Sequence, residues 1–177
     1  MKVDRRRRII VATDRCLHRS ATPHDYDALV AGIVAPEFPL ELPLANLQRQ
    51  GKLKSWFDSI ISTSLDGRAC VFSIDLSAGE RCIGQVSLVQ RDKSASGNLA
   101  FWLHPSYRGG GLAVETAAAV VRYAFTVMAI KEVWAGAASW KQRSIKTLLK
   151  LGLHPIEAGE TLNGESDKFC RFSAVRG

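Results

Sequence analysis

The sequence has no apolar run approaching the ~20 residues that a bilayer-spanning helix needs, so no such helix is expected. It also lacks the apolar centre of a secretory leader. Met1-Lys2-Val3-Asp4 and the run Arg5 to Arg8 lead into only a few apolar residues before Thr13-Asp14-Arg15, and a signal of that kind needs a longer apolar stretch. A cytoplasmic protein is the expectation. Cysteine is sparse and scattered: Cys16, Cys70, Cys82 and Cys170 form no CxxC pair. That spacing speaks against a zinc site, and no metal is expected. In a chain large enough to build a core, these thiols are expected to stay reduced. Internal repeats, low-complexity stretches and a second domain are also missing.

What is present is ordinary for a globular domain. The chain has 177 residues, 46% hydrophobic and 23% charged, enough for one domain with a sizeable core. The net charge is +7, and Arg5–Arg8 supply four of the positive charges. Residues 1–12 read as a basic N-terminal arm and 13–177 as the single domain. The arm could touch nucleic acid or a ribosome, or could simply be solvated.

Periodicity then orders the elements. Cys16-Leu17-His18-Arg19 can form a short first strand. Thr22, Pro23 and Asp25 carry a helix start signal, cap then proline then acid, for a helix that reaches about Val34. Pro36 to Leu44 contains three prolines and reads as a loop. Leu53, Trp56, Phe57, Ile60 and Ile61 recur at helical spacing, with Trp56 and Phe57 expected in the core, and Asp66-Gly67 closes that helix. Three strand-like runs follow, 69–76, 82–89 and 98–103, at spacings that suit an antiparallel meander. Ala117, Val120, Val121, Ala124, Phe125 and Met128 mark one face of a long helix. A short strand at 133–137, a helix over 142–151 ended by Gly152, and a last strand at 169–175 complete an α+β, or mixed α/β, layered fold.

Chemistry concentrates where a strand meets the long helix, at Leu103-His104-Pro105-Ser106-Tyr107-Arg108-Gly109-Gly110-Gly111-Leu112-Ala113. Glycines let backbone N–H groups approach a bulky anion. The free N–H groups and positive dipole end of the helix favour phosphate, and Arg108 can add a charge-assisted contact. The turn is not a P-loop, since the Lys-Ser/Thr pair is missing, and an antiparallel meander precedes it, unlike a dinucleotide GxGxxG turn. A packing turn that merely needs glycine is the alternative.

Arg108-Gly109-Gly110-Gly111-Leu112-Ala113 resembles the Q/R-x-x-G-x-G/A signature of the GNAT acetyltransferase superfamily. The chain is most similar to the RimJ/RimL branch, which acetylates protein N-termini, ribosomal ones among them. Thr13 to Arg19 is similar to that branch's opening T-x-R-L-x-L-R strand. Gly84 to Leu88 and Phe101 to Pro105 are similar to its third and fourth strands, and Ser144, Leu149, Leu151, Gly152 and Leu153 to its N-x-x-S … L-x-K-L-G-F helix. The resemblance implies a central, mostly antiparallel sheet splayed between its fourth and fifth strands, with helices on both faces. It implies acetyl-CoA as cofactor, pantetheine along Phe101, Trp102 and Leu103, and the diphosphate on Gly109, Gly110, Gly111, Leu112, Ala113 and their neighbours. It implies direct transfer to an amine, with Ser144 as the acid for the leaving thiolate, although Ser144 could equally be a helix cap.

Two positions depart from the branch. Lys141 stands where asparagine is usual, and could meet a CoA phosphate or simply be solvated. Asn98 stands where a glutamate is frequent, and an amide cannot accept a proton. By residue type, His104, Glu41, His18 and Tyr107 are candidate bases; water, or an amine arriving neutral, could serve instead. Glu37 and Glu41, in the proline-rich loop, would suit a cationic acceptor, or are a pair of ordinary surface charges. The acceptor is expected to be a protein N-terminal amine, with a small-molecule amine as alternative. A weakened CoA-binding or RNA-associated module is a third. The oligomeric state stays open, a homodimer included.

Overall fold

The computed structural model describes residues 9–90, 95–156 and 169–176. The chain folds into a mixed α/β layer structure in which five α-helices flank one open sheet of eight strands, counted among the described residues. The strands are β1 (Ile9–Ala12), β2 (Cys16–Ser20), β3 (Ala69–Leu76), β4 (Gly84–Gln90), β5 (Ser96–Leu103), β6 (Glu132–Ala138), β7 (His154–Pro155) and β8 (Phe169–Val175). The helices are α1 (Tyr26–Val34), α2 (Pro43–Arg49), α3 (Leu53–Leu65), α4 (Leu112–Thr126) and α5 (Gln142–Lys150). Spatial order across the sheet is β1-β2-β3-β4-β5-β6-β8-β7.

Strands alternate their side chains between faces, and neighbouring Trp102 and Leu103 belong to different cores. Leu103 joins Phe72, Ile74, Val86, Leu88 and Leu99 under α4, where Leu112, Val120, Val121 and Ala124 point inward. Trp102 joins Leu29, Ile33, Phe38, Leu53, Phe57 and Ile61 from α1, α3 and their connection. The two helical layers therefore lie on opposite faces of the sheet. Phe57 is fully buried as its spacing predicts, but its neighbour Trp56 is 37% exposed and lies outside the core.

Two expectations about local structure are corrected. Ile9–Ala12 is no part of an arm, because it pairs antiparallel with β2 as the edge strand of the sheet. Its backbone finds a partner in β2, which a basic flank in the sequence does not disclose. Arg5–Arg8 lie outside the described residues. The proline-rich segment also ends in a helix: Pro43 opens α2, where its missing N–H is no loss.

One buried polar chain ties the layers together. The Trp102 indole donates to Gln85 Oε1 (3.1 Å), Gln85 Nε2 donates to Ser73 Oγ (3.3 Å), and Ser73 Oγ donates to Asp25 Oδ2 (2.9 Å). Arg19 then grips Asp25 through two bonds of 2.7 and 2.9 Å and Asp75 through a third of 2.9 Å. Burial pushes both carboxyls up, but Arg19 and the other donors hold them below the ordinary value. No buried side-chain polar atom is left without a partner among the described residues. The start of α1 is thereby fixed to the strand that borders the site.

Candidate active site

The site begins at a fault in the sheet. β5 pairs with β4 along nearly its whole length, from Gly97↔Gln90 to Leu103↔Gly84. On its other side it pairs in parallel with β6 at only three positions, Ser96↔Glu132, Gly97↔Val133 and Asn98↔Trp134. Beyond Asn98 the strands part, while β6 stays paired with β8 as far as Ala138↔Phe169. A wedge therefore opens toward the carboxyl ends of β5 and β6, with the backbone of Leu99 to Leu103 along one wall. Asn98 stands at its apex, and its side-chain amide makes a long contact to the Trp134 carbonyl (3.5 Å). A carboxylate could not donate there, which gives the amide a structural role at this position.

Two close approaches fix that wall. A Cβ on Gly84 would sit 2.3 Å from the Trp102 carbonyl oxygen, and one on Gly32 would sit 2.7 Å from the Trp102 ring. Only glycine lets β4 and α1 come this near.

At the mouth of the wedge β5 passes through a 3-10 turn, Pro105–Tyr107, into the glycine run and α4. Gly109 and Gly111 have φ of 91° and 80°, the left-handed region where L side chains are strained. Gly111 is the N-cap of α4 and offers no capping side chain. Glu115 N–H closes the first turn onto the Gly111 carbonyl (3.1 Å). The six backbone N–H groups from Gly109 to Val114 have no hydrogen-bond partner among the described residues. A Cβ on Gly109 would meet nothing within 4 Å, so this face of the turn is open. A helix N-terminus with a file of free donors suits a phosphate group.

Cations collect beside it. Arg108 turns its guanidinium away from the glycines: Nε donates to the Leu103 carbonyl (3.1 Å), a terminal N–H donates to the Glu37 carbonyl (3.3 Å), and the group lies over the Phe38 ring. Burial, then the charge of Arg143, lowers its pKa. Lys141 is the N-cap of α5, just past the end of β6. Burial, then the charge of Arg108, holds its ammonium down at about 8. Neither Arg108, Lys141 nor Arg143 makes an ion pair among the described residues. With only the Glu37 carboxylate acting on Arg108 from nearby, the mouth of the wedge carries an excess of positive charge, a complement to a polyanion.

The remaining candidates divide. Ser144 lies three residues after Lys141 in the first turn of α5, half-buried, and its hydroxyl has no partner among the described residues. It does not act as the helix cap. His104 borders the mouth, but its Nδ1 accepts the Ser106 N–H (3.2 Å), which leaves the proton on Nε2 in the neutral ring and makes it a donor. His18 lies fully buried between the carbonyls of Val11 and Thr116, far from the wedge, and is excluded as a base. Glu37 and Glu41 are exposed on the segment joining α1 to α2. The residue that sequence reasoning passed over is Arg15, which reaches the glycine run from the β1–β2 turn.

Residues 15–154 match the acetyltransferase (GNAT) domain family. Among solved structures, the fold is similar to Mycobacterium smegmatis RimJ in complex with CoA-disulfide (18% identity, 90% of this chain and 81% of that one, TM-score 0.67). It is similar to the ribosomal-protein-S5-alanine acetyltransferase of Vibrio fischeri (16%, 93% and 95%, TM-score 0.68). It is also similar to a chimera of the spermidine N-acetyltransferase SpeG from Vibrio cholerae and hSSAT (15%, 90% and 95%, TM-score 0.68). No curated protein matches the sequence. No helix among the described residues is long and apolar enough to cross a membrane.

Proposed function

The chain belongs to the GNAT acetyltransferase family, with CoA as its cofactor, and from that premise we propose that it acetylates a protein N-terminal amine by direct transfer. The observation that carries the cofactor's placement is the row of six unpartnered N–H groups from Gly109 to Val114. These would hold the diphosphate, with Gly109, Gly110, Gly111, Leu112 and Ala113 as the cradle. Lys141 and Arg108 add the positive charge that phosphates would neutralise. The β5 edge that β6 leaves open, Phe101 to Leu103, with Arg108 already on the Leu103 carbonyl, would lie along the pantetheine arm.

Bound acetyl-CoA supplies the acetyl group as a thioester. Around it this chain has three tasks: hold the acceptor amine at the wedge, polarise the carbonyl through backbone N–H groups, and return a proton to the departing sulfur. Ser144 is assigned the last task, since its hydroxyl is free to donate. The first would fall to the α1–α2 segment that carries Glu37 and Glu41. No described carboxylate stands in for a base at Asn98, so the amine is taken to enter neutral or to lose its proton to water.

The likeness to ribosomal-protein acetyltransferases supports a protein N-terminus as acceptor. The exposed Glu37 and Glu41, and the likeness to a spermidine acetyltransferase, favour a polyamine as the second reading. Incubating a cell lysate with the enzyme and labelled acetyl-CoA, then locating the label by mass spectrometry, separates the two. Label on protein N-termini supports the first reading. Label confined to small amines replaces it with the second.

A further inference from the structure

The β1–β2 turn lies against the first turn of α4 through one compact group. Arg15 Nε donates to Glu115 Oε2 (2.7 Å), its second terminal nitrogen pairs with the same oxygen (2.6 Å), and its backbone N–H donates to Glu115 Oε1 (3.0 Å). Thr13 Oγ1 donates to Glu115 Oε1 (2.6 Å). The remaining arm of the guanidinium donates to the Gly110 carbonyl (2.9 Å). Burial raises the Glu115 carboxyl, but the bonds from Thr13 and Arg15 outweigh it and keep the group ionised.

The bond to Gly110 has a geometric consequence. In a trans peptide the C=O and the following N–H point in opposite directions. Holding the Gly110 oxygen on the Arg15 side therefore presents the Gly111 N–H on the open side. That peptide is flanked by Gly110 and by Gly111, the latter in the left-handed region, and glycine backbone rotates more freely than any other. Without a clasp, the unit between Gly110 and Gly111 would be free to turn over.

We propose that Arg15, locked by Glu115 and Thr13, is a positioning residue that orients the peptide groups of the glycine run for the cofactor's diphosphate. It acts through Gly110 and through a charge already balanced by Glu115, so its effect is preorganisation and not direct attraction. The inference rests on the diphosphate placement given above.

The test compares two donors with the same thioester, acetyl-CoA and acetyl-pantetheine, of which the second has no diphosphate. Arg15→Ala is expected to raise KM for acetyl-CoA roughly tenfold, the loss of about one residue's backbone order, with kcat kept within about twofold. Its kcat/KM for acetyl-pantetheine should not change. Arg15→Lys, which can reach one partner and not both, should fall between. In the protein free of cofactor, order parameters of the Gly109 to Gly111 amides should drop below about 0.6 in Arg15→Ala. A merely structural tie would depress both donors alike, and that result, or an unchanged KM, overturns the proposal. If Arg15→Ala does not fold, Glu115→Gln serves in its place with the same donor-selective loss expected. Wild-type protein that binds no CoA by calorimetry defeats the diphosphate placement instead, while the amide measurement still reports on the clasp.

Discussion

Replacing Lys141 with methionine should make the folded protein more stable and the enzyme worse. The ammonium sits half-buried with Arg108 as its charged neighbour and is held at about 8, against an ordinary 10.5. That difference corresponds to roughly 3 kcal/mol of preference for the neutral amine. Solvent screening of a group that is not fully enclosed reduces the recoverable part to about 1–2 kcal/mol. The sign follows from linkage. Below pH about 8 the lysine is protonated in folded and unfolded chains alike, and the full penalty stands. As pH rises toward 10.5 the folded protein sheds the proton first, and the penalty fades. Urea titrations of wild type and Lys141→Met at pH 7 and pH 10 would read this directly. The variant should lead by about 1–2 kcal/mol at the lower pH and by much less at the higher. At pH 7 that lead raises the melting temperature by about 3–6 °C for a chain of this size. Cofactor affinity should fall, because a phosphate would lose a cation. A variant no more stable than wild type at pH 7, or a lead indifferent to pH, would refute the electrostatic account.

Other expectations are simpler. Gly111→Val forces a side chain into a φ of 80°, strain of about 1–2 kcal/mol; the melting temperature should fall modestly and CoA affinity should be lost, and normal affinity would remove the cradle. Ser144→Ala should lower kcat on the order of 10²-fold while acetyl-CoA affinity and thermal stability stay put, since the hydroxyl bonds to nothing described; an unchanged kcat makes the residue idle. Arg19→Met strands Asp25 and Asp75 in the interior and should cost about 3–5 kcal/mol at neutral pH. Because both carboxyls sit below their usual value of 3.8, their contribution is present above that pH and lost as pH falls through the lowered folded values. The variant's acid-unfolding midpoint should therefore move to higher pH, and an unmoved midpoint would contradict the ion-pair reading.

Helices and strands with strong periodicity were legible from the residues alone. The stripe over Leu53 to Ile61 arises from burial on one face, which periodicity encodes, while β3 is a short run buried on nearly every residue. Three features escaped because their causes are not periodic. Pro43 signals a break and a helix start in the same letter, and only the chain around it decides. β1 is a four-residue edge strand whose partner, not its pattern, makes it a strand. Arg15 and Glu115 stand 100 residues apart, and two charges that far apart in a chain announce nothing until the turn and the helix are packed. At the site, the glycine run raised the expectation of an anion cradle by composition, and the structure adds its free N–H groups. The direction of Arg108, toward the α1–α2 segment and not the glycines, is set by Phe38 and by the carbonyls of Leu103 and Glu37. No local signal carries it.

The three rungs between β5 and β6 also have a mechanical meaning. They make the sheet a hinged pair, β1 to β5 on one leaf and β6, β8 and β7 on the other. Under heat or denaturant the seam is where amide exchange should first lose correlation between the leaves. A ligand lodged in the wedge would act as a strut across that hinge. The two half-sheets already share the core under α4, so occupancy of the wedge would tighten an existing coupling, and the protein would be most nearly rigid when it is loaded.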